Sequence, residues 1–238
     1  MIIEILYPGL CGLYGDAGNV LLLRRCLPEA EFIVTELPDP PYFAENHVDM
    51  VYLGSMSEKM QPLLISRLMP CKDRITHMIN AGILFLVTGN TLDVFSREIE
   101  NVTAGKKFPG LGLFDLTARI DLFDRRSGNV IGEFEDMEII GSKAQFSTLH
   151  GDNSGFALMK TLRGAGINGK SQYEGVRIHN FFGTYLLGPL LVLNPQFTKY
   201  LLHLLEYDGE IPCYEDMLKA YRIRLAQLKA CKDGAFYK

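Results

Sequence analysis

Short apolar runs alternate with segments of helical spacing through the first half of the chain, and this alternation constrains the fold more than any other feature. Ile2 to Tyr7, Phe32 to Thr35, Met50 to Leu53 and Ile83 to Val87 read as buried strands. Between them, Val20 to Leu27, Ser57 to Leu68 and Asp73 to Asn80 read as helices, and Thr91 to Ile99 returns to helical composition. Asn19 is placed to cap the first helix and Pro28 to end it. Apolar strands separated by helices require a largely parallel sheet covered on both faces. From Gly110 the pattern turns toward β, at Leu113 to Ile120, Asn129 to Phe134, Glu174 to Ile178 and Phe181 to Leu186. Pro195 to Leu205 and Tyr214 to Lys232 are amphipathic helices. The expected fold class is therefore α/β, a parallel or mixed sheet with helices on both faces plus C-terminal helices. No linker divides it: residues 1–206 form the main domain and 207–238 a helical extension.

Composition excludes several function classes. The chain has 238 residues, ample for a core, with 47% apolar and 22% charged residues, which argues against disorder. The net charge of -4, without a basic stripe interleaved with aromatics, argues against nucleic acid as a partner. Cys11, Cys26, Cys71, Cys213 and Cys231 are odd in number and include no C-x-x-C pair, so a reducing, cytoplasmic location is expected. The Met1-Ile2-Ile3-Glu4 start lacks the features of a signal peptide, and no apolar run approaches the roughly 18 residues of a membrane span.

Most local motifs fail on context. Gly164 to Gly169 matches G-x-G-x-x-G, but the flanking residues lack the strand before and the helix after that a dinucleotide site needs. Gly105-Lys106-Lys107 lacks the rest of a P-loop, and no His, Cys or acidic cluster has zinc-site spacing. No metal and no cofactor are expected. The segment from Ile83 to Thr91 is more informative. An apolar strand runs into Thr88-Gly89-Asn90 and then a helical pattern, the layout of a nucleophile elbow. A β-branched residue at the tip disfavours the strained backbone of such elbows, so this segment alone reads as a plain β-α turn.

Several motifs taken together resemble one family. Leu6-Tyr7-Pro8 with Leu13-Tyr14-Gly15-Asp16-Ala17-Gly18-Asn19, then Pro109 to Leu113, Arg125 to Asn129, Gly166 to Gly169, Tyr173 to Arg177, and Gly183 to Leu191 with Asn194-Pro195, occur in the order seen in GatD-like proteins. These are class I glutamine amidotransferases, similar to CobB and CobQ, that serve as the glutaminase subunit in amidation of peptidoglycan precursors. The resemblance implies their fold. It also implies a Cys-His pair that hydrolyses glutamine through a thioester and passes ammonia to a partner, a Mur-ligase-like synthetase such as MurT.

At the positions that match the catalytic pair, this chain has Thr88 for the nucleophile and Leu187 for the histidine. The family's glycine-rich oxyanion loop corresponds to Leu53-Gly54-Ser55-Met56, with one glycine where the family has several, so fewer backbone N–H groups are free to turn toward an oxyanion. Gly54, Ser55 and Gly89 line the expected substrate position. Arg125 aligns with the glutamine-carboxylate binder and also reads as a surface arginine beside Asp124. Asp16 either organises the site or only holds its glycine-rich loop.

Three functional expectations follow. The chain is a pseudoenzyme that binds a glutamine-like molecule and a synthetase; or it hydrolyses an amide with displaced residues such as Cys11 with His150 or His179; or it assembles, as a homo-oligomer or on a partner, through its C-terminal helices. A role in cobalamin synthesis stays open beside the cell-wall one.

Overall fold

The computed structural model describes residues 1–231. Its strands, in chain order, are β1 (Ile2–Leu6), β2 (Glu31–Thr35), β3 (Met50–Leu53), β4 (Leu84–Thr88), β5 (Ser96–Asn101), β6 (Lys106–Pro109), β7 (Phe114–Ile120), β8 (Arg126–Phe134), β9 (Met137–Gln145), β10 (Ser147–His150), β11 (Met159–Arg163), β12 (Tyr173–Glu174), β13 (Val176–Ile178) and β14 (Phe181–Thr184). The α-helices are α1 (Ala17–Cys26), α2 (Gln61–Leu68), α3 (Lys72–Asn80), α4 (Leu190–Leu193), α5 (Pro195–Leu204) and α6 (Tyr214–Ala230). The helix expected to run to Lys232 ends at Ala230, and Lys232 lies outside the described residues.

The main sheet has the order β13-β14-β4-β3-β1-β2. All its pairings are parallel except β13 with β14. Successive residues of β3 and β4 face opposite sides, which explains why both strands are continuously apolar. Met50, Tyr52, Leu84 and Leu86 pack with α1 and α5, while Val51, Leu53, Phe85 and Val87 pack with α2 and α3. The fold is therefore α/β with helices on both faces of a mixed sheet. Two four-stranded sheets, β10-β7-β5-β6 and β12-β11-β8-β9, carry the β-rich second half.

Two local expectations are corrected. Asn19 does not cap α1; the helix starts at Ala17, and Asn19 lies inside it. Its buried amide donates to Tyr52 Oη at 2.9 Å and accepts from the Leu191 N–H at 2.9 Å, so tertiary partners claim the group that would otherwise have served as the cap. The helix expected over Thr91 to Ile99 is instead a 3-10 helix, Gly89–Phe95, that runs straight into β5. All seven of its residues are buried, so packing on every side overrides a propensity that one apolar stripe would have satisfied.

Helix α6 closes the far side. Tyr221 and Leu228 pack on Ile131 of β8 and Ile140 of β9, and the Tyr221 hydroxyl donates to the Glu138 carbonyl at 2.7 Å. Arg163 reaches across to the carbonyls of Leu228 and Cys231. Replacing Tyr221 with Ala removes both the ring and the hydrogen bond, and we expect a loss of about 3 kcal/mol in urea unfolding with an unchanged denaturant slope. No loss would mean that α6 lies on the sheet without stabilising it.

Candidate active site

Thr88 ends β4 at the carboxyl edge of the main sheet, between β3 and β14. Its backbone is ordinary extended chain, φ -113° and ψ 152°. The turn's left-handed residue is the next one, Gly89, at φ 65°. Glycine is required there twice over, because a Cβ would also lie 2.3 Å from Ser55 Cβ. The segment thus turns sharply without lifting the Thr88 side chain above the sheet. That side chain is fully buried, on the same face as Leu84 and Leu86.

The group that receives it is Asp16, 1% exposed, at the end of the loop from Pro8. Asp16 Oδ1 accepts from Thr88 Oγ1 at 2.9 Å and from the Tyr52 hydroxyl at 3.0 Å. Asp16 Oδ2 accepts from the Ser55 N–H at 2.5 Å and lies 2.5 Å from Ser55 Oγ. Burial, and after it the charge of Asp16, push the Tyr52 phenol well above its usual range, which keeps it a donor.

Two of the backbone amides just after β3 are taken up by the protein itself. The Ser55 N–H is held by Asp16, and the Met56 N–H donates to Asn90 Oδ1 at 3.0 Å. Leu13 and Ser55 form a β-bridge, so the Pro8–Asp16 loop is stitched onto this turn. A Cβ on Gly54 would lie 2.5 Å from the Cys11 carbonyl, and one on Gly188 would lie 2.6 Å from Asp16 Oδ1. Loop, elbow and the Gly188 segment are close-packed around one carboxylate.

Asp16, Gly54, Ser55, Thr88 and Gly89 are therefore brought together. Leu187 stands beside Gly188, half-buried, with its N–H donated to the Ser142 carbonyl at 2.9 Å. Arg125 does not join them. It is exposed on the turn before β8, its guanidinium 5.9 Å from the Phe146 ring centroid. Cys11 is buried, and burial above all pushes its thiol up to about 12, so it remains protonated and unreactive near neutral pH. His179 precedes the start of β14, whereas Thr184 at the other end of that strand pairs with Thr88; the histidine is thus at the opposite edge of the sheet. His150 has Thr148 as its hydrogen-bond partner, at 2.9 Å.

A second buried polar group lies beside the elbow, made of residues that were not among the expected site residues. Asp93, within the 3-10 helix, accepts from Gln61 Nε2 at 2.9 Å and from the Tyr185 hydroxyl. Lys143 and Glu174 pair at 3.2 Å, both essentially without exposure, and Lys143 also donates to the carbonyls of Ala165 and Gly166. Asp93 and Gln61 lie in segments of helical composition and Glu174 and Tyr185 within motifs named above, but only the fold brings these side chains together.

The arrangement of strand, turn and flanking loops is that of the fold seen in a solved glutamine amidotransferase. Solved structures share the fold. The chain superposes on the PurLQS structure from Thermotoga maritima with a TM-score of 0.54 at 13% identity, covering 94% of this chain and 98% of that one. A glutamine amidotransferase of the same organism gives 0.52 at 11% identity, covering 95% and 98%. No family model matches. Two curated relatives narrow the class. The chain is 28% identical over 225 residues to subunit GatD of the glutamine-hydrolyzing lipid II isoglutaminyl synthase of Streptococcus pneumoniae, covering 90% of this chain and 85% of that one. It is 25% identical over 193 residues to the Staphylococcus aureus counterpart, covering 80% and 78%. The chain is thus similar in sequence to GatD subunits over most of its length and shares the fold of a solved glutamine amidotransferase.

Two outcomes follow from the buried carboxyls. Asp16→Ala leaves the Ser55 N–H and the Thr88 and Tyr52 hydroxyls without their acceptor, and we expect about 3 kcal/mol lost in urea unfolding. Thr88→Val, which removes one donor and keeps the shape, should lose about 1 kcal/mol. Equal effects would contradict the central place of Asp16. Burial raises the Asp93 carboxyl to about 6 from 3.8. The folded chain then keeps a proton that the unfolded chain releases between those values. Its contribution is full below 3.8 and is lost as pH rises through about 6. Asp93→Asn should flatten the fall in urea midpoint between about pH 4 and 6. An unchanged profile would assign that fall to other groups.

Proposed function

We propose that this chain is a GatD-like subunit that has lost glutamine hydrolysis and works by binding. Its partner in this reading is a Mur-ligase-like synthetase of the MurT type, and its setting is amidation of peptidoglycan precursors. The observation that carries the proposal is the use of the Ser55 and Met56 N–H groups by Asp16 and Asn90. Amide hydrolysis needs such donors free for the developing oxyanion, and removing one typically costs about 100- to 1000-fold in rate. The nucleophile position is equally occupied. Thr88 donates its proton to Asp16, and no base stands at Leu187. The relatives named for glutamine hydrolysis support kinship and setting.

Displaced chemistry is the weaker reading. It needs a thiolate at Cys11, and burial holds that thiol protonated. Cobalamin synthesis is also weaker, because both curated relatives carry the cell-wall name.

The test is ammonia release from glutamine by the purified chain, alone and with a MurT-like synthetase, beside the Thr88→Ala and Cys11→Ala proteins. We expect no release above that of the variants. A signal that either variant removes would sink the pseudoenzyme reading. Co-expression with the synthetase should yield a stable complex, and its absence on size exclusion would remove the docking half of the proposal. Thr88→Cys combined with Leu187→His should still release no ammonia, since neither change frees the Ser55 or Met56 N–H. Restored release would show that these two positions alone had silenced the site.

A further inference from the structure

A cleft of about 740 Å³ lies between β7 and β10 on one side and the turns at Gly151–Asn153 and Asn168–Ser171 on the other. None of Gly54, Ser55, Thr88 and Gly89 lines it. Its volume is that of a small-molecule site. Three cations, Arg119, Arg126 and Lys170, and three carboxylates, Asp121, Asp124 and Asp152, line the walls.

The two charge sets are not equivalent. Every carboxylate is engaged locally. Asp121 Oδ1 accepts from the Phe123 N–H at 3.0 Å, Asp124 Oδ2 from Arg126 Nε at 3.0 Å, and Asp152 Oδ1 from the Ser154 N–H at 2.9 Å. By contrast, the Arg119 guanidinium and the Lys170 ammonium have no hydrogen-bond or ion-pair partner among the described residues. The acceptors have donors, and two of the donors lack acceptors. His150 registers the resulting field. Partial burial, then Arg119 and Arg126, and more weakly Lys170, hold its imidazole below the usual value, with only Glu100 opposing. Beside the cations, half-buried Phe146 and Tyr173 line the same cleft, with the Arg125 guanidinium 5.9 Å from the Phe146 ring centroid.

We propose that this cleft binds a small molecule carrying a phosphoryl group, with its oxygens between Arg119 and Lys170 and an apolar or ring-bearing body against Phe146 and Tyr173. A carboxylate presents two coplanar oxygens and saturates one guanidinium. Two cations that come from a strand and from a separate turn are better served by a tetrahedral dianion, which has oxygens for both. The site is separate from the elbow, and its fate is independent of the glutaminase assay.

Phenyl phosphate is the probe, followed by NMR of the histidine ring protons of the full chain at constant ionic strength, with the His150 signal assigned by His150→Gln. The expected result is a saturable shift of His150 and a rise in its apparent pKa, because a bound dianion favours the imidazolium. Arg119→Gln and Lys170→Gln should each weaken binding about tenfold, the equivalent of one charge-assisted contact. Both are exposed and outside the core, and circular dichroism verifies that they fold. Benzoate should bind more weakly than phenyl phosphate, and so should inorganic phosphate. A response that does not saturate, that affects all histidines alike, or that survives undiminished in both variants overturns the site. Equal binding of benzoate overturns the phosphoryl assignment, and equal binding of inorganic phosphate overturns the ring contact.

Discussion

Asp16 has been taken out of water, and a carboxylate in that position must find donors or destabilise the fold. It finds them on two separate pieces of chain: Tyr52 in β3 with Ser55 just beyond it, and Thr88 at the end of β4. The N-terminal loop, the central strands and the elbow are thereby held in one geometry. The interaction also accounts for the small residues around it. Gly54 and Gly188 lie so close to the loop that any side chain would strike Asp16 or the Cys11 carbonyl. At the same turn the protein itself supplies the acceptors for the Ser55 and Met56 N–H groups.

Much of the fold was legible because hydrophobic period carries it. The strands at Met50–Leu53 and Leu84–Thr88 stand out as apolar runs because both of their faces are covered. β9 was missed because its partner is joined to it through Glu135 at φ 51°, a turn without the glycine or asparagine that normally betrays a hairpin. The 3-10 helix after Thr88 was misread for the opposite reason, since its composition is helical and its burial is complete.

The site was legible only in part. Thr88, Gly54, Ser55 and Asp16 could be found by their motifs, and the structure places them together. Tyr52 could not, because in an apolar strand it reads as one more core residue. Its hydroxyl acquires meaning only when β3 lies beside the Asp16 loop. Arg125 shows the reverse. Its motif is recognisable, yet the side chain lies on an exposed turn over Phe146. Lys143 and Glu174 are 31 positions apart along the chain, and although Glu174 lies in a recognised motif, their pairing leaves no local trace.

The hydrogen bond from the Leu191 N–H to Asn19 joins residues 172 positions apart. Together with Gly188 against Asp16, it means that the Pro8–Asp16 loop has no finished surface to settle on until the segment after β14 is in place. Non-local closure of this kind slows folding in general. For most of its synthesis the chain therefore carries an acidic side chain in water that will later sit at its centre. That loop is among the last pieces to reach its final place.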